Sequence, residues 1–499
     1  MTALADTVAT AAAAADPRRW KALGVLALVQ FMLILDITVV NVALPSIKTE
    51  LGFSQSGLAW VVNGYTLMAG GLLLLGGRLS DILGRRRLFL IGVAVFAVAS
   101  LTCGAAVNPQ MLVASRFLQG AGEAMAAPAA LGLVALLFPD PRERMKALGV
   151  WGGLAGLGGT TGTVISGALT GLASWRWVFF VNLPVAVVAL VLVPRLVSES
   201  RMQREAVAGR RRVDLLGPLT ATAGLIALVH ALLQAATNDW GSAAVLPPLL
   251  AGVALLGAFV AIEARIEQPL IPLRFFTNRT RVVTNVAALF FSSSFFAYFF
   301  LLTLFLQQVA GFSPLRAGLA YVPFGLGIGA GIGVGTGLMP KLGVKPLLAL
   351  GFFGSAIGLL LTSGIGPGTT YAGGVLPGML VLAFFSGISF PAVGNASLHQ
   401  VTGQDASLAS GVQNAVQQVG GALGLATLVA FALRRAADLS ASGDAGPAAV
   451  TSGYALAFRI GSVLLVIGGV LVSLLLERVQ AVPRQAELEL LAEPALAAG

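Results

Sequence analysis

Gly77-Arg78-Leu79-Ser80-Asp81-Ile82-Leu83-Gly84-Arg85-Arg86-Arg87 links two long apolar stretches. A worn copy, Gly337-Leu338-Met339-Pro340-Lys341-Leu342-Gly343-Val344-Lys345, links two others far down the chain. The paired glycines permit a tight turn between packed helices. Asp81 can accept hydrogen bonds from a neighbouring helix end or from an arginine. A second echo sits just upstream of each copy. Gly52-Phe53-Ser54 and Gly57-Leu58-Ala59-Trp60-Val61 precede the first, and Gly311-Phe312-Ser313 and Gly318-Leu319-Ala320-Tyr321-Val322 precede the second.

Working outward, the apolar stretches fall at 22–44, 57–77, 88–108, 110–138, 147–172, 177–196, 213–235, 243–263, 282–309, 317–338, 346–364, 374–400, 409–433 and 455–477. Each can cross a hydrocarbon core of ~30 Å, which takes about 20 apolar residues as a helix. Backbone in lipid must satisfy its own hydrogen bonds, so these stretches are expected to be helices. Composition agrees, with 57% hydrophobic residues, 10% charged residues and a mean hydropathy of +0.89. The expected fold is an all-α integral membrane protein with 14 spans. The echoes, and the glycine-rich fifth and thirteenth stretches, are offset by eight spans. That predicts two six-helix pseudo-repeats with two helices inserted between them, the parallel repeats of one transporter class. The expected division is a tail at 1–21, a first half at 22–198, linkers and inserted helices at 199–281, a second half at 282–477 and a tail at 478–499.

The net charge of +10 would suit a nucleic-acid binder, but its placement excludes that reading. With the N-terminus in the cytoplasm, 24 Lys and Arg fall on cytoplasmic segments, including Arg210-Arg211-Arg212, and 6 fall outside; Arg116 alone lies within a span. This asymmetry predicts both termini in the cytoplasm of a cell-membrane protein, with the basic excess against anionic lipid. The lone Cys103 can form no internal disulfide and reads as a packing residue. No metal or haem spacing occurs around the two histidines, His230 and His399, and His230 reads as packing. The Ala-rich Met1–Asp16 tail reads as disordered. Arg18-Arg19 precedes a full-length span with no small-residue cleavage pattern, so it reads as the start of span 1.

Ionisable residues inside spans are costly and default to functional hypotheses. Asp36 in span 1 could carry and release a proton. Arg116, Gln119 and Glu123 share one face of span 4. Glu123 reads as a second proton site, a substrate contact or a balance for Arg116. Asp36 lies ~12 Å and Arg116 ~9 Å from the outer ends of their spans, so the two can pair. The aromatic span 9 (Phe290, Phe291, Phe295, Phe296, Tyr298, Phe299 and Phe300) reads either as a wall for apolar compounds, through Phe295 and Phe299, or as packing. Asn41, Gln119, Gln307, Gln308, Asn414, Gln417 and Gln418 are candidate path-lining polar groups.

The chain resembles the major facilitator superfamily, and within it the fourteen-span drug:proton antiporters of EmrB/QacA type. The motifs are the 77–87 loop, Leu35-Asp36-Ile37-Thr38-Val39-Val40-Asn41-Val42-Ala43-Leu44-Pro45, Leu112-x-x-x-Arg116-x-x-Gln119-Gly120-x-Gly122, and Trp175-Arg176-Trp177-Val178-Phe179 with Asn182 and Pro184. The resemblance spans roughly 20–478. It implies a non-enzymatic, proton-driven exporter of hydrophobic or amphipathic drugs, a monomer with no cofactor, with Gly77, Asp81, Gly84, Arg85 and Arg86 as the conformational-switch loop. An uptake symporter, a membrane sensor or enzyme, and a channel are the rival readings. One departure stands in span 5, Gly158-Gly159-Thr160-Thr161-Gly162-Thr163-Val164-Ile165-Ser166-Gly167. Gly158, Gly162 and Gly167 fit the antiporter motif, but Thr163 stands where that motif has proline and Ser166 replaces a glycine.

The charge asymmetry yields a direct test. In a Cys103→Ala background, cysteines at Arg211 and Ser442 should label from opposite faces. An impermeant thiol reagent on intact cells should mark 442 and spare 211.

Overall fold

A computed structural model describes residues 18–197, 214–266, 269–397, 399, 406–443 and 446–477. Most of the two tails and the 198–213 connection with Arg210-Arg211-Arg212 lie outside the described residues. Among those described there is no strand. The chain runs through α1 (Arg19–Leu51), α2 (Gln55–Leu83), α3 (Arg85–Gly104), α4 (Pro109–Leu137), α5 (Pro141–Leu172), α6 (Trp177–Leu196), α7 (Leu216–Gln234) and α8 (Leu246–Glu263). A short 3-10 turn (Leu273–Thr277) leads into α9 (Arg279–Val309), α10 (Pro314–Leu342), α11 (Val344–Thr362), α12 (Tyr371–Ser397), α13 (Ala406–Ala441) and α14 (Pro447–Leu475).

Thirteen of the described helices are long and apolar enough to cross a membrane. The exception is α5, the expected fifth span, whose Gly- and Thr-rich composition carries little apolar surface although the helix runs unbroken for 32 residues. Several helices outrun their apolar stretches. α1 continues to Leu51 and α14 begins at Pro447, because backbone hydrogen bonding, unlike hydropathy, does not stop at the membrane boundary.

Turn chemistry repeats between the halves. Gly52 and Gly311 end α1 and α9 at φ 72° and 70°. Ser54 and Ser313 then cap the next helices, accepting from Gly57 N at 3.0 Å and Arg316 N at 3.3 Å. Gly84 and Gly343 separate α2 from α3 and α10 from α11 at φ 97° and 79°, a region closed to most side chains.

Packing repeats as well, with an offset of eight helices. α2–α4, α3–α4, α1–α5, α1–α6 and α3–α6 pack against one another, and so do α10–α12, α11–α12, α9–α13, α9–α14 and α11–α14. The two sets join along α2–α13 and α5–α10, which exchange under the same offset. The α5–α10 contact concentrates at Pro314–Leu319, where Gly167 lies against Pro314 and Gly318, and thins along Val322–Leu342. The inserted α7 lies over the α2–α13 seam, and α8 packs almost entirely on α7. Asp214 caps α7, accepting from Gly217 N at 3.0 Å.

Close approach of α2 to α4 depends on Gly76, where an added Cβ would strike the Ala124 carbonyl oxygen. The next residue, Gly77, has only the Pro128 Cβ near, at 3.9 Å. We expect Gly76→Val to destabilise the protein by ~1–3 kcal/mol through overpacking, while Gly77→Ala stays within ~0.5 kcal/mol of wild type. Thermal melting in detergent measures both.

Candidate functional site

The polar centre is built from five helices. Asp36 on α1 and Arg116 on α4 are 0% and 1% exposed, and Arg116 Nη1 lies 2.5 Å from Asp36 Oδ2. The other carboxylate oxygen accepts from Gln119 Nε2 at 2.8 Å and from Asn182 Nδ2 of α6 at 2.9 Å. Ser100 of α3 closes the circle, accepting from Gln119 at 2.9 Å and Asn182 at 3.3 Å. Arg116 Nη1 also reaches Gln119 Oε1 at 2.7 Å, and its Nε donates to the Val61 carbonyl at 2.8 Å. The guanidinium lies 4.2 Å from the centre of the Tyr65 ring, a cation–π contact from α2. Both oxygens of the acid are satisfied, which is the condition for keeping an ion pair in a dry interior.

One residue beyond Asp36, α1 turns a different face to a cavity of ≈ 110 Å³ between the two helix sets. Ile37, Thr38 and Asn41 line it from α1, and Gly159 and Thr163 from α5. Phe295, Phe296 and Phe299 of α9 face Tyr321, Phe324 and Ile328 of α10 across it. The rings interlock, with Phe299 5.0 Å from Phe295, 4.9 Å from Phe324 and 5.2 Å from Tyr321 between centroids. The Tyr321 hydroxyl is engaged with Thr303 at 2.9 Å. The lining carries no charged side chain.

Sequence-derived candidates divide accordingly. Asp36, Arg116 and Gln119 come together, while Asn41, Phe295, Phe299 and Thr163 meet at the cavity. Gln119 therefore belongs to the buried network and not to the cavity wall. Gln307 also stands off the cavity: its side chain donates to the Val42 carbonyl at 2.8 Å and ties α9 to α1. Gln418 lies in the α2–α13 seam against Gly70, and Asn414 is exposed elsewhere on α13. Glu123 is buried beside Tyr65, away from the cavity. Gly158 and Gly162 let α5 approach Ile34 and Thr38 of α1, and Thr38 Oγ1 donates to the Leu35 carbonyl at 3.0 Å. In the loop, Arg85 lies 3.2 Å from Asp81 and donates to the Gly132 carbonyl of α4 at 2.9 Å. Arg86 reaches Val197 O, past the end of α6, at 3.0 Å. The worn copy preserves this last contact, with Lys345 donating to Leu476 O at 2.7 Å.

Ser100, Phe296 and Phe324 were not singled out as site residues from sequence, and Asn182 entered only as a motif letter. A serine inside an apolar helix bonds its own backbone too often to signal a site. Removing one member of the ion pair strands the other. Arg116→Ala should destabilise by ~3–5 kcal/mol, whereas Asp36→Asn/Arg116→Gln should recover part of that loss. A double-mutant cycle of melting midpoints checks this.

Comparison with known proteins agrees with this architecture. The sequence model of the Major Facilitator Superfamily matches residues 26–425. The chain is 38% identical over 459 residues to the puromycin resistance protein pur8 of Streptomyces alboniger, covering 90% of each. It is 37% identical to a lincomycin resistance protein of Streptomyces lincolnensis, covering 86% of this chain and 87% of that one. It is 38% identical to the cephamycin export protein CmcT of Amycolatopsis lactamdurans, covering 86% of each. Among solved structures, a bacterial homologue of the human lysosomal transporter Spinster, inward-facing and occupied, superposes with a TM-score of 0.62 at 17% identity, covering 92% of this chain and 97% of that one. The chain belongs to the Major Facilitator Superfamily.

Proposed function

We propose that this protein is a proton-driven exporter of hydrophobic or amphipathic antibiotic-like molecules in the cell membrane. As a member of a transporter superfamily it is not an enzyme. One observation carries the reading: an uncharged, aromatic-lined cavity lies between the two helix sets, one residue along α1 from a buried Asp–Arg pair. Relatives named for antibiotic resistance or export support the cargo class. An uptake carrier for a small polar nutrient would want several polar groups in its cavity, and this lining is aromatic and aliphatic.

In this reading, 22–198 and 282–477 are the two halves that rock about the cavity, each hinged on its α2-type helix and on α5 or α13. The basic asymmetry sets both termini in the cytoplasm. Asp36 holds the coupling charge. While ionised it is locked to Arg116, and when protonated it releases Arg116, so the two proton states favour different arrangements of α1 and α4. The driving force is the proton gradient, and no cofactor is invoked. The uncharged lining suits neutral, zwitterionic or monocationic cargo.

Everted vesicles with a panel of lipophilic antibiotics test this. Asp36→Asn should abolish pH-gradient-driven accumulation while binding of the same compound stays within a few-fold. Phe299→Ala should weaken cargo binding about tenfold, the ~1.4 kcal/mol expected of one well-packed ring. Normal proton-coupled transport by Asp36→Asn would sink the coupling assignment. Normal affinity in Phe299→Ala would move the cargo elsewhere.

A further inference from the structure

We propose that Glu123 is the second counter-ion of Arg116 and the group from which the coupling proton departs. Protonation of Asp36 frees the guanidinium, which moves along α4 to the Glu123 carboxylate as the Glu123 proton leaves. The inference rests on the reading of Asp36 and Arg116 given above.

Three observations lead there. First, Asp36 is sealed at 0% exposure, with Gln119 and Tyr65 also at 0%, whereas Glu123 keeps 8%. A proton on Asp36 needs an exit, and Glu123 is the acid of this group with any opening. Second, Oε2 of Glu123 and the hydroxyl of Tyr65 are both buried, and neither has a hydrogen-bonding neighbour other than the other. The Asp36 end of the network is saturated, so the unfilled bonding capacity lies at the Glu123 end. A buried carboxylate left short of partners is costly; a neutral acid awaiting a cation is not. Third, Tyr65 joins the two ends. Its ring carries the Arg116 guanidinium at 4.2 Å, and its hydroxyl faces Glu123.

The geometry permits the move. Residues 116 and 123 are seven apart on one helix face, ~10.5 Å along the axis. Both side chains start out tilted toward the helix N-terminus, which brings Glu123 toward Arg116, and the long arginine must swing back over Tyr65 to cross the remainder. The titratable groups around Glu123 are Tyr65 on α2, Asp36 on α1 and Arg116 on its own helix. On α3, Cys103 lies at Gln119 instead, its sulfur 3.5 Å from Oε1.

The exchange balances. One proton is gained at Asp36 and one is lost at Glu123. The guanidinium keeps its charge and faces one carboxylate before and after, so no unpaired charge is left in the membrane interior.

Infrared spectroscopy of the purified full-length protein tests the resting state without any cargo. The wild type should show the carbonyl-stretch band of a protonated carboxyl shielded from water. Glu123→Gln should lose that band and Asp36→Asn should keep it. Absence of the band from wild type, or its loss in Asp36→Asn with retention in Glu123→Gln, overturns the proposal.

Transport in proteoliposomes, with tetraphenylphosphonium as probe, separates this inference from the reading beneath it. Glu123→Gln should slow gradient-driven transport at least tenfold and leave gradient-free counterflow within threefold. Glu123→Asp should restore a third or more of the driven rate. Normal driven transport in Glu123→Gln, with none in Asp36→Asn, overturns only the role of Glu123. Normal driven transport in Asp36→Asn overturns the underlying reading. Joint loss of counterflow and driven transport in a Glu123→Gln protein that melts like wild type makes Glu123 structural and also overturns the proposal. Tyr65→Phe gives a milder version of the same comparison should the glutamine variant fail to fold.

Discussion

The Asp36–Arg116 pair constrains everything around it. Two opposite charges in a dry interior attract strongly, yet removing them from water costs several kcal/mol each, which the pair alone does not recover. The protein supplies the difference with Gln119, Asn182, Ser100 and the Val61 carbonyl, drawn from α2, α3, α4 and α6. The first six helices are therefore packed around one satisfied charge pair as well as around an apolar core. In the proposed coupling, a change in the charge of Asp36 would be felt by every helix that contributes to this network.

The second half has the same scaffold and, among the described residues, no such buried pair. α9 occupies the place of α1 and packs on α13 and α14 as α1 packs on α5 and α6. Where α1 carries Asp36, α9 carries phenylalanines. The repeat is thus asymmetric in content: one copy holds the charge pair and the other supplies most of the aromatic side chains at the cavity. The two interact through α1, which shows Asp36 to the network and Ile37, Thr38 and Asn41 to the cavity.

The fold was legible because membrane helices announce themselves by length and because turn chemistry survived duplication. Gly52 with Gly311, and Gly84 with Gly343, hold positions that demand φ > 0, so selection against side chains kept the echoes readable. The ion pair was legible from depth alone, since each partner sits at a countable distance from a span end. For the polar side chains depth could not help. Gln307, Gln418 and Asn414 lie on helices next to the cavity, but hydropathy says nothing about which way a helix is rotated. Phe296 and Phe324 could not be told apart from their neighbours for the same reason, each one phenylalanine among many. α5 reads as a span by its length, and its hydropathy is low because close packing against α1 calls for glycine, which contributes little apolar surface.

That close packing also bears on the proline missing from α5. Thr163 stands in its place, and the helix runs unbroken from Pro141 to Leu172. Contact with α1 is kept by other means. Gly162 admits Thr38 where any Cβ would collide, and Ser166 donates across the interface to the Val39 carbonyl. Gly167 then serves the opposite interface, seating Pro314 and Gly318 of α10. A single helix turn and a half therefore fastens α5 to both helix sets, and Thr163 between these contacts faces the cavity. A kink is one way to bring α5 close to two partners; small residues on two faces of the helix are another. The second way leaves a hydroxyl-bearing residue at the cavity wall where proline would offer none, so the substitution changes the lining of the cavity more than it changes the packing of the helix.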